Sequence, residues 1–509
     1  MTGFSGIQVA LQALLAQQTA LEIKQNNVAN ANTKGYHRQE AIMKAGFPVK
    51  SMAFTSSAGQ QNIGTGVYVD RIQRFSLEFY DTRYRSQMGE NSKFDMMTSM
   101  LTEVEISLAD TSSDGIAQRM NEFFAGWQTV ATDPDIGALR DDLLERTQSM
   151  TEAFNNRALR LIEIQKDQDL ALTQRVDDIN NITKQIGELN AEIGRSQGAK
   201  TQPNAQLDER DRLLDQLSQL IGITSHVQDN GQVIVSLQGH AMVLGNQTFK
   251  LEATAVAANN NMVKINWADD QSKTGLKFLS GEVAGILYTR DVVMEDQKKQ
   301  LNDTVISLMN RVNAIHTSGY DLVGNRGEPL FTATAGQEAL SFSLAITDSR
   351  KIAASLPSAP PALPLTQLAT PGDGNNALAI ANVMNSHSLP AWVAPPANWD
   401  TPPFPLPTGW TPPDPIFSNY GEDSISHYNS SRVTSLALEI RHAKTGASDS
   451  NNLLTAMDEQ REQVSGVNLD EEAANMVKYQ RAYQAAARLM NVFDEMLDRV
   501  VNTLGMGGR

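Results

Sequence analysis

Apolar residues recur every three or four positions at both ends of the chain, and they alternate singly only in a stretch near its middle. Near the N-terminus, Ile7, Leu11, Leu14, Leu21 and Val28 fall on a seven-residue repeat broken by Gln18 and Gln25. Ser5 and Gln8 stand before it in capping-box order, so the pattern predicts a helix over about residues 6–28. The stretch "NNVANANTKGYHRQ" then stops it. Asparagine amides compete for backbone groups inside a helix, and Gly35 supplies freedom to turn.

From about 70 to about 200 the pattern is polar yet helical, and "ALRLIEIQKDQDLALTQRVDDINNITKQIGELNAEIGRSQ" predicts one very long helix or coiled-coil arm. "NAQLDERDRLLDQLSQLIGI" adds a shorter helix. The period then drops to two. "ITSHVQDNGQVIVSL" places two strand-like runs around Asn230-Gly231, a hairpin signal, and "HAMVLG", "NMVKINWAD" and "GLKFLSGEV" continue with short strands. Val305, Leu308, Met309, Val312 and Ile315 mark a further helix. Pro357 to Pro415 holds fifteen of the nineteen prolines and three of the five tryptophans. This composition excludes regular helix or central strand. Helix returns from about 421.

The C-terminal segment is the most regular. Asn468 is a good N-cap with Glu471 at the capping-box position, and Asp470, Glu471 and Glu472 complement the helix dipole. Leu469, Ala473, Met476, Tyr479, Tyr483, Ala486, Met490, Phe493, Leu497, Val500 and Leu504 then step by three or four, close to the coiled-coil spacing. A long helix with one apolar stripe needs a partner. The natural one is the N-terminal helix, seam against seam, with Ala10, Ala13, Ala16 and Ala20 and Ala474, Ala482 and Ala485 left on faces open to further helices.

The 509 residues allow three or four domains. A formal charge of −16 argues against phosphate-backbone binding as the main task. Cysteine is absent, which excludes disulfides, thiol catalysis and Cys-based metal sites. The N-terminus lacks a basic leader and is not read as a Sec signal; on sorting signals alone the chain reads as cytoplasmic. The seven histidines show no metal-ligand spacing, no nucleotide-binding or nucleophile-elbow motif occurs, and no cofactor is expected. "DLVGNRGEP" resembles a calcium loop, but Val323 occupies a ligand position and Gly327 comes one place late, so it reads as a turn. Asp208 with Glu209 reads as a solvated helix face.

Two segments carry a resemblance. "ALQALLAQQTALEIKQNNVANANTKGYHRQEA" and "SGVNLDEEAANMVKYQRAYQAAARLMNVFDEMLDRVVN" resemble the terminal signatures of the rod, hook and hook-associated axial proteins of the bacterial flagellum. Within that family, "NAQLDERDRLLDQLSQLIGITSHVQDNGQVIVSL", "GILYTRDVV", "LMNRVNAIHTSGYDLVGNRGEPLF" and "GDGNNALAIANV" resemble the hook-associated members that form the junction between hook and filament. The resemblance implies a structural protein, exported without a cleaved signal through the flagellar type III apparatus and working outside the cell. It implies a homo-oligomeric ring, with hook protein and hook-associated protein 3 as neighbours and a cytoplasmic export chaperone beforehand. Its terminal segments would order on assembly.

The expected fold is mainly α with a β-rich domain, elongated, with the terminal helices paired as a coiled-coil-like hairpin. Residues 1–60 with 465–509 form the terminal assembly domain, 61–220 with 421–464 a long helical bundle, 221–356 a β-rich outer domain with a helix near 291–316, and 357–420 a Pro/Trp-rich insertion. The expected assembly interface comprises Ile7, Leu11, Leu14, Leu21, Asn26, Asn27, Val28, Asn30, Asn32, Gly35 and Tyr36 with Leu469, Met476, Tyr479, Tyr483, Met490, Phe493, Leu497, Val500 and Leu504. The asparagine amides and Tyr36 are expected to reach neighbouring subunits. Three other functions compete: a hook or distal rod protein, a secreted peptidoglycan hydrolase on an axial scaffold, and a cytoplasmic coiled-coil scaffold.

Overall fold

The architecture comes from a computed structural model, which describes residues 2–46, 49–50, 62–63, 65–108, 115–199, 201–257, 261–270, 275–356, 372–385, 390, 393 and 425–505. In chain order these form α1 (Thr2–Ala29), β1 (Gln39–Ala45), β2 (Val49–Lys50), β3 (Asn62–Ile63), β4 (Val67–Arg74), α2 (Glu78–Leu108), α3 (Ile116–Thr132), α4 (Gly137–Gly198) and α5 (Asn204–Leu220). Strands β5 (Thr224–Val227), β6 (Val233–Leu237), β7 (His240–Leu244), β8 (Gln247–Thr248), β9 (Leu251–Val256) and β10 (Met262–Trp267) follow. Next come α6 (Glu282–Tyr288), a π-helical turn (Thr289–Val293), α7 (Met294–His316), β11 (Phe331–Thr332), α8 (Glu338–Ser341) and β12 (Ser343–Leu344). The chain closes with α9 (Asn375–Ala381), α10 (Ile425–Ser465) and α11 (Leu469–Gly505).

Helix α4 is the spine, and its 62 residues reach roughly 90 Å at the α-helical rise. Its buried positions step by three and four, through Leu143, Met150, Phe154, Leu161, Leu172, Ile179, Ile186 and Ile193. One face therefore stays covered along the whole length, while Leu159 and Leu170 face outward. The covering changes along the way. The first half packs with α2, α3, α7 and α9 in a core built around Phe123, Trp127, Phe154, Phe331 and Phe342. The second half packs with α5, α6 and the strands, around Leu172, Ile186, Leu217, Val235, Val243 and Trp267. Gln165 and Gln168 form a polar step on the buried face between the two cores, with Gln165 Nε2 donating to Arg290 O (3.0 Å) and Glu295 Oε1 (2.8 Å).

The sheets are small and antiparallel, in the order β5-β6-β7-β8 with β9-β10 beside it. The Asn230-Gly231 hairpin forms as read: Gly231 takes φ +77°, and Val227 pairs with Val233. Asn190 of α4 edges this sheet, donating to Val233 O and Gly245 O and accepting from Val233 N. The stretch 221–356 expected as one outer domain is divided. Its strands belong to the second core, whereas α7 and residues 330–354 belong to the first, because α7 buries Leu301, Val305, Leu308, Val312 and Ile315 against α4 and its neighbours. The expected boundary at residue 60 also moves, since β4 pairs with β1 from Val67 to Arg74 and so lies with the terminal helices. Of the Pro/Trp-rich insertion, α9 and Val393 join the first core; Trp392, Trp399 and Trp410 lie outside the described residues. Helices α2 and α10 pair closely, and a methyl at Gly446 would come within 2.6 Å of the Phe94 ring.

The calcium-like loop is a self-satisfied turn. Asp321 Oδ1 accepts from Val323 N (2.9 Å) and Asn325 N (2.7 Å), and Oδ2 from Asn325 Nδ2 (3.3 Å). Nearby, His316 is fully buried; its Nδ1 bonds Glu328 O at 2.6 Å and its Nε2 accepts from Ala353 N at 3.0 Å. That pair of partners fits the neutral ring, and burial lowers its pKa from 6.5 to about 4. Between those values the unfolded chain binds a proton that the folded chain refuses, so stability falls as pH drops through this window. The first core is therefore expected to lose stability from about pH 6.5 downward, before carboxylates titrate. Denaturant titrations followed by Trp127 fluorescence, whose ring lies 6.0 Å from His316, check this; a midpoint constant from pH 7 to 5 contradicts it.

Candidate assembly surface on the terminal helices

Helices α1 and α11 run antiparallel. A methyl at Gly6 would come within 2.6 Å of the Phe493 ring, while Lys24 meets Glu472 at the other end. Strands β1 and β4 cover a second side of α1, and Ala20, Ile23, Ala41 and Tyr479 make a small core separate from the other two. Helix α1 starts at Thr2, so Ser5 lies within it and does not cap it. At the start of α11, Asn468 Oδ1 accepts from Asp470 N (3.0 Å) and Glu471 N (3.3 Å), as an N-cap does. Glu471 does not close the capping box; its carboxylate takes two bonds from Arg38, at 3.1 and 3.0 Å.

The two helices use their stripes differently. On α11 the expected seam turns inward: Met476, Tyr479, Tyr483, Met490, Phe493 and Leu497 are half-buried and Ala486 is buried, while Leu469 is exposed. Val500 and Leu504 lie on α11, their side chains outside the described residues. On α1 the best-covered face is a different one. The buried face is Ala10, Ala16, Ala20, Ile23, Lys24 and Asn27. Ile7, Leu14, Leu21 and Val28 are only half-covered, and Leu11 is 41% exposed. The reason is steric. An antiparallel helix carrying Tyr479, Tyr483 and Phe493 and a β-hairpin both press on α1, and small residues let them approach. Of the leucines about a third of a turn round, Leu14 and Leu21 are half-buried, and Leu11 and Leu15 stay outside. Leu11 and Leu15 on α1 and Leu489, Val492 and Met496 on α11 are thus apolar residues left in water.

The asparagine cluster is satisfied within the chain. Asn27 Nδ2 donates to Gln39 O (2.8 Å) and Glu472 Oε2 (3.1 Å), and its Oδ1 accepts from Gln39 N (3.1 Å) and Tyr36 Oη (2.7 Å). Asn26 Nδ2 donates to Tyr36 Oη (3.4 Å), and Asn30 Nδ2 donates to Asn26 Oδ1 (2.9 Å). These amides tie the end of α1 to β1 and α11, so contacts with a neighbouring subunit are not needed to satisfy them. Gly35 adopts φ +84° and makes the turn as expected; Asn32 is exposed. Burial, then the charges of Asp208 and Glu472, push the Tyr36 hydroxyl up to about 12, which keeps it a donor.

Three residues at the centre of this arrangement were absent from the sequence-based set. Glu472 is fully buried, with Lys24 Nζ 3.1 Å from its Oε2 and Arg38 Nε 2.9 Å from its Oε1. The Arg38 contact is an ion pair by distance whose N–H is not aligned for a hydrogen bond. Burial acts to lower the Arg38 pKa, but Glu471 and Glu472 outweigh it and raise it. The signal available was Lys24 in "ALEIKQNNVAN", a charge at a position next to the helix seam. Asp208, read as solvated, is also drawn in: it accepts from Arg74 Nε at 2.6 Å.

Comparison with known proteins places these features. Residues 101–331 match the family model of the flagellar hook-associated protein FlgK helical domain. Residues 7–37 match that of the flagella basal body rod protein, and 459–504 that of the flagellar basal body rod FlgEFG protein C-terminal. Flagellar hook-associated protein 1 of Bacillus subtilis is 28% identical, over 99% of each chain. That of Escherichia coli is 25% identical, over 97% of this chain and 99% of its own. The solved flagellar hook junction protein FlgK from Burkholderia pseudomallei shares the fold, with a TM-score of 0.62 at 16% identity over 75% of this chain and all of its own. The chain belongs to the flagellar hook-associated protein 1 family, structural components of the junction between hook and filament.

Proposed function

We propose that this chain builds its part of the junction by self-association of the terminal unit, formed by α1, β1 to β4 and α11. The observation that carries this reading is the apolar stripe left on each paired helix, with Leu15 53% and Leu489 54% exposed although their helices are already packed. Fully covering such side chains is worth roughly 1.5–3 kcal/mol each. A second copy offers the matching surface, and repetition around an axis gives the homo-oligomeric ring. The expected site residues divide accordingly. Ile7, Leu11, Leu14 and Leu21 point to the copy-to-copy contact, while Asn26, Asn27, Asn30, Tyr36 and the α11 seam hold the unit together. We further propose hook protein and hook-associated protein 3 as axial neighbours, an export chaperone in the cytoplasm, type III export, and an extracellular position. The role is structural, without catalysis.

Replacing Leu15→Asp or Leu489→Asp is expected to leave the thermal midpoint of the isolated protein within about a degree or two, since exposed positions change stability little. Incorporation and motility should be lost. A large fall in the midpoint, or normal swimming, would refute the assignment of these stripes.

Glu472→Gln is expected to behave differently. It leaves Lys24 buried without a counter-charge, which costs about 3–5 kcal/mol, while half-buried Arg38 keeps its two bonds to Glu471. Amide exchange should then rise throughout α1 and α11 while Leu143 to Ile164 of α4 stay protected. Unchanged exchange in both terminal helices would show that this ion cluster does not hold the unit together. The intact protein incubated with peptidoglycan is expected to release no soluble fragments; any release above a heat-treated control would favour the hydrolase reading.

A further inference from the structure

Among the described residues, the terminal unit meets the rest of the molecule without a shared apolar core: Ala20, Ile23 and Ala41 join neither of the two larger clusters. The backbone crosses the joint twice, between β4 and α2 and between α10 and α11. Arg38 ties the crossings side by side, its N–H donating to Ser465 O (2.9 Å) and its carbonyl accepting from Phe75 N (3.0 Å). Two adjacent strands of chain define a line about which a body can turn. They do not fix how far it has turned. A cleft of ≈ 990 Å³ beside them, lined by residues 31–38, Arg85, Asp215, Arg461 and Ser465–Asn468, leaves room for that rotation.

Beside this line, across the cleft, stands α5. Asp208, Asp211 and Asp215 occupy one face of it at i, i+3 and i+7. Each meets two bases from different places, and Asp211 a third, Arg210, at 3.9 Å. Asp208 takes His37 Nδ1 (2.8 Å) and Arg74 Nε (2.6 Å) from the terminal unit. Asp211 takes Arg74 (2.5 Å) from β4 and Arg85 (3.3 Å) from α2. Asp215 takes Arg85 (2.7 Å) and Arg461 (2.8 Å) from α10. The guanidinium of Arg461 also lies 3.8 Å over the Tyr84 ring. Base and acid thus alternate without a break from the terminal loop to α10. Burial acts to raise the Asp211 pKa, but Arg74, Arg85 and Arg210 hold it far below the usual carboxylate range.

We propose that Asp208 and Asp211 are positioning residues for assembly, the teeth of a comb that sets the rotation of the terminal unit on the helical shaft, with Asp215 holding Arg85 and Arg461 in line behind them. Arginine–carboxylate bonds are directional, and removing one partner inside such a network leaves uncompensated buried charge. At this rotation Asp208 has both of its bases and Asp211 has Arg74, whereas the two bases of Asp215 lie on the shaft and do not depend on it. The comb therefore decides which way the bare stripes of α1 and α11 face relative to the shaft. That consequence rests on the self-association reading; the joint itself does not, and its test is independent of assembly.

Because the chain has no cysteine, two introduced thiols can be spin-labelled cleanly. A pair at exposed Gln8 and Arg441 spans the joint, and a pair at Gln8 and Arg488 lies within the terminal unit. In the otherwise unchanged protein both distance distributions should be narrow. Asp211→Asn should broaden the spanning distribution at least about twofold or shift it, leave the within-unit pair narrow, and be rescued by Asp211→Glu. Asp208→Asn, which leaves Arg74 its bond to Asp211, should do the same more weakly and keeps the test open should Asp211→Asn unfold. An unchanged spanning distribution in both variants overturns the proposal. Equal broadening of the within-unit pair also overturns it, since the comb would then merely stabilise the fold.

Discussion

Chain closure governs this molecule. The polypeptide leaves the terminal unit at Arg74, runs out along the shaft, and returns at Ser465, so α11 must find a helix laid down more than four hundred residues earlier. Bringing such distant segments together carries a large loop-closure cost, and a weak or slippery contact would not hold them. The alanine face of α1 gives close approach but little discrimination. Selectivity comes from Glu472, which needs Lys24, Arg38 and Asn27 together to leave water. A buried carboxylate is satisfied in one arrangement and strongly penalised in its neighbours, whereas an apolar residue accepts several.

The shaft is where the sequence was most readable. Along α4 the three–four stepping of buried residues follows directly from the apolar pattern, and the hairpin at Asn230-Gly231 follows from turn chemistry. What the pattern did not specify was which element covers each part of the helix. Residues 221–356 looked like a single domain because strand-like and helical stretches adjoin in sequence, yet α7 packs on the first core and β6 on the second. Periodicity identifies a buried face; it carries no information about the partner.

The terminal helices show the same division from another side. The seam of α11 was legible because a helix with aromatic residues at coiled-coil spacing has one obvious inner face. On α1 two faces competed, one of leucines and one of alanines, and transfer free energy favoured the leucines. Packing geometry decided otherwise: two elements press on α1, its alanines let both approach, and Lys24 and Asn27 are buried beside them through their bonds to Glu472. Buried charge was the least legible feature. Glu472 and Asp208 look like ordinary surface acids, and the bases brought to them from Lys24, Arg38 and Arg74 let Glu472 be fully buried and Asp208 partly so.

A physical reason links the bare leucines and the charged joint. Had the terminal unit been fastened to the shaft through apolar side chains, α1 and α11 would have spent their outward stripes on that contact and had none left for another copy. Ionic fastening leaves those stripes free. It also fixes angle more firmly than it adds stability, because the attraction between buried charges is largely offset by their lost hydration. A subunit that has to present one surface in one direction is served by that balance. Carboxylates on α5 and apolar residues on α1 and α11 accordingly have separate tasks: the former set direction, the latter adhesion.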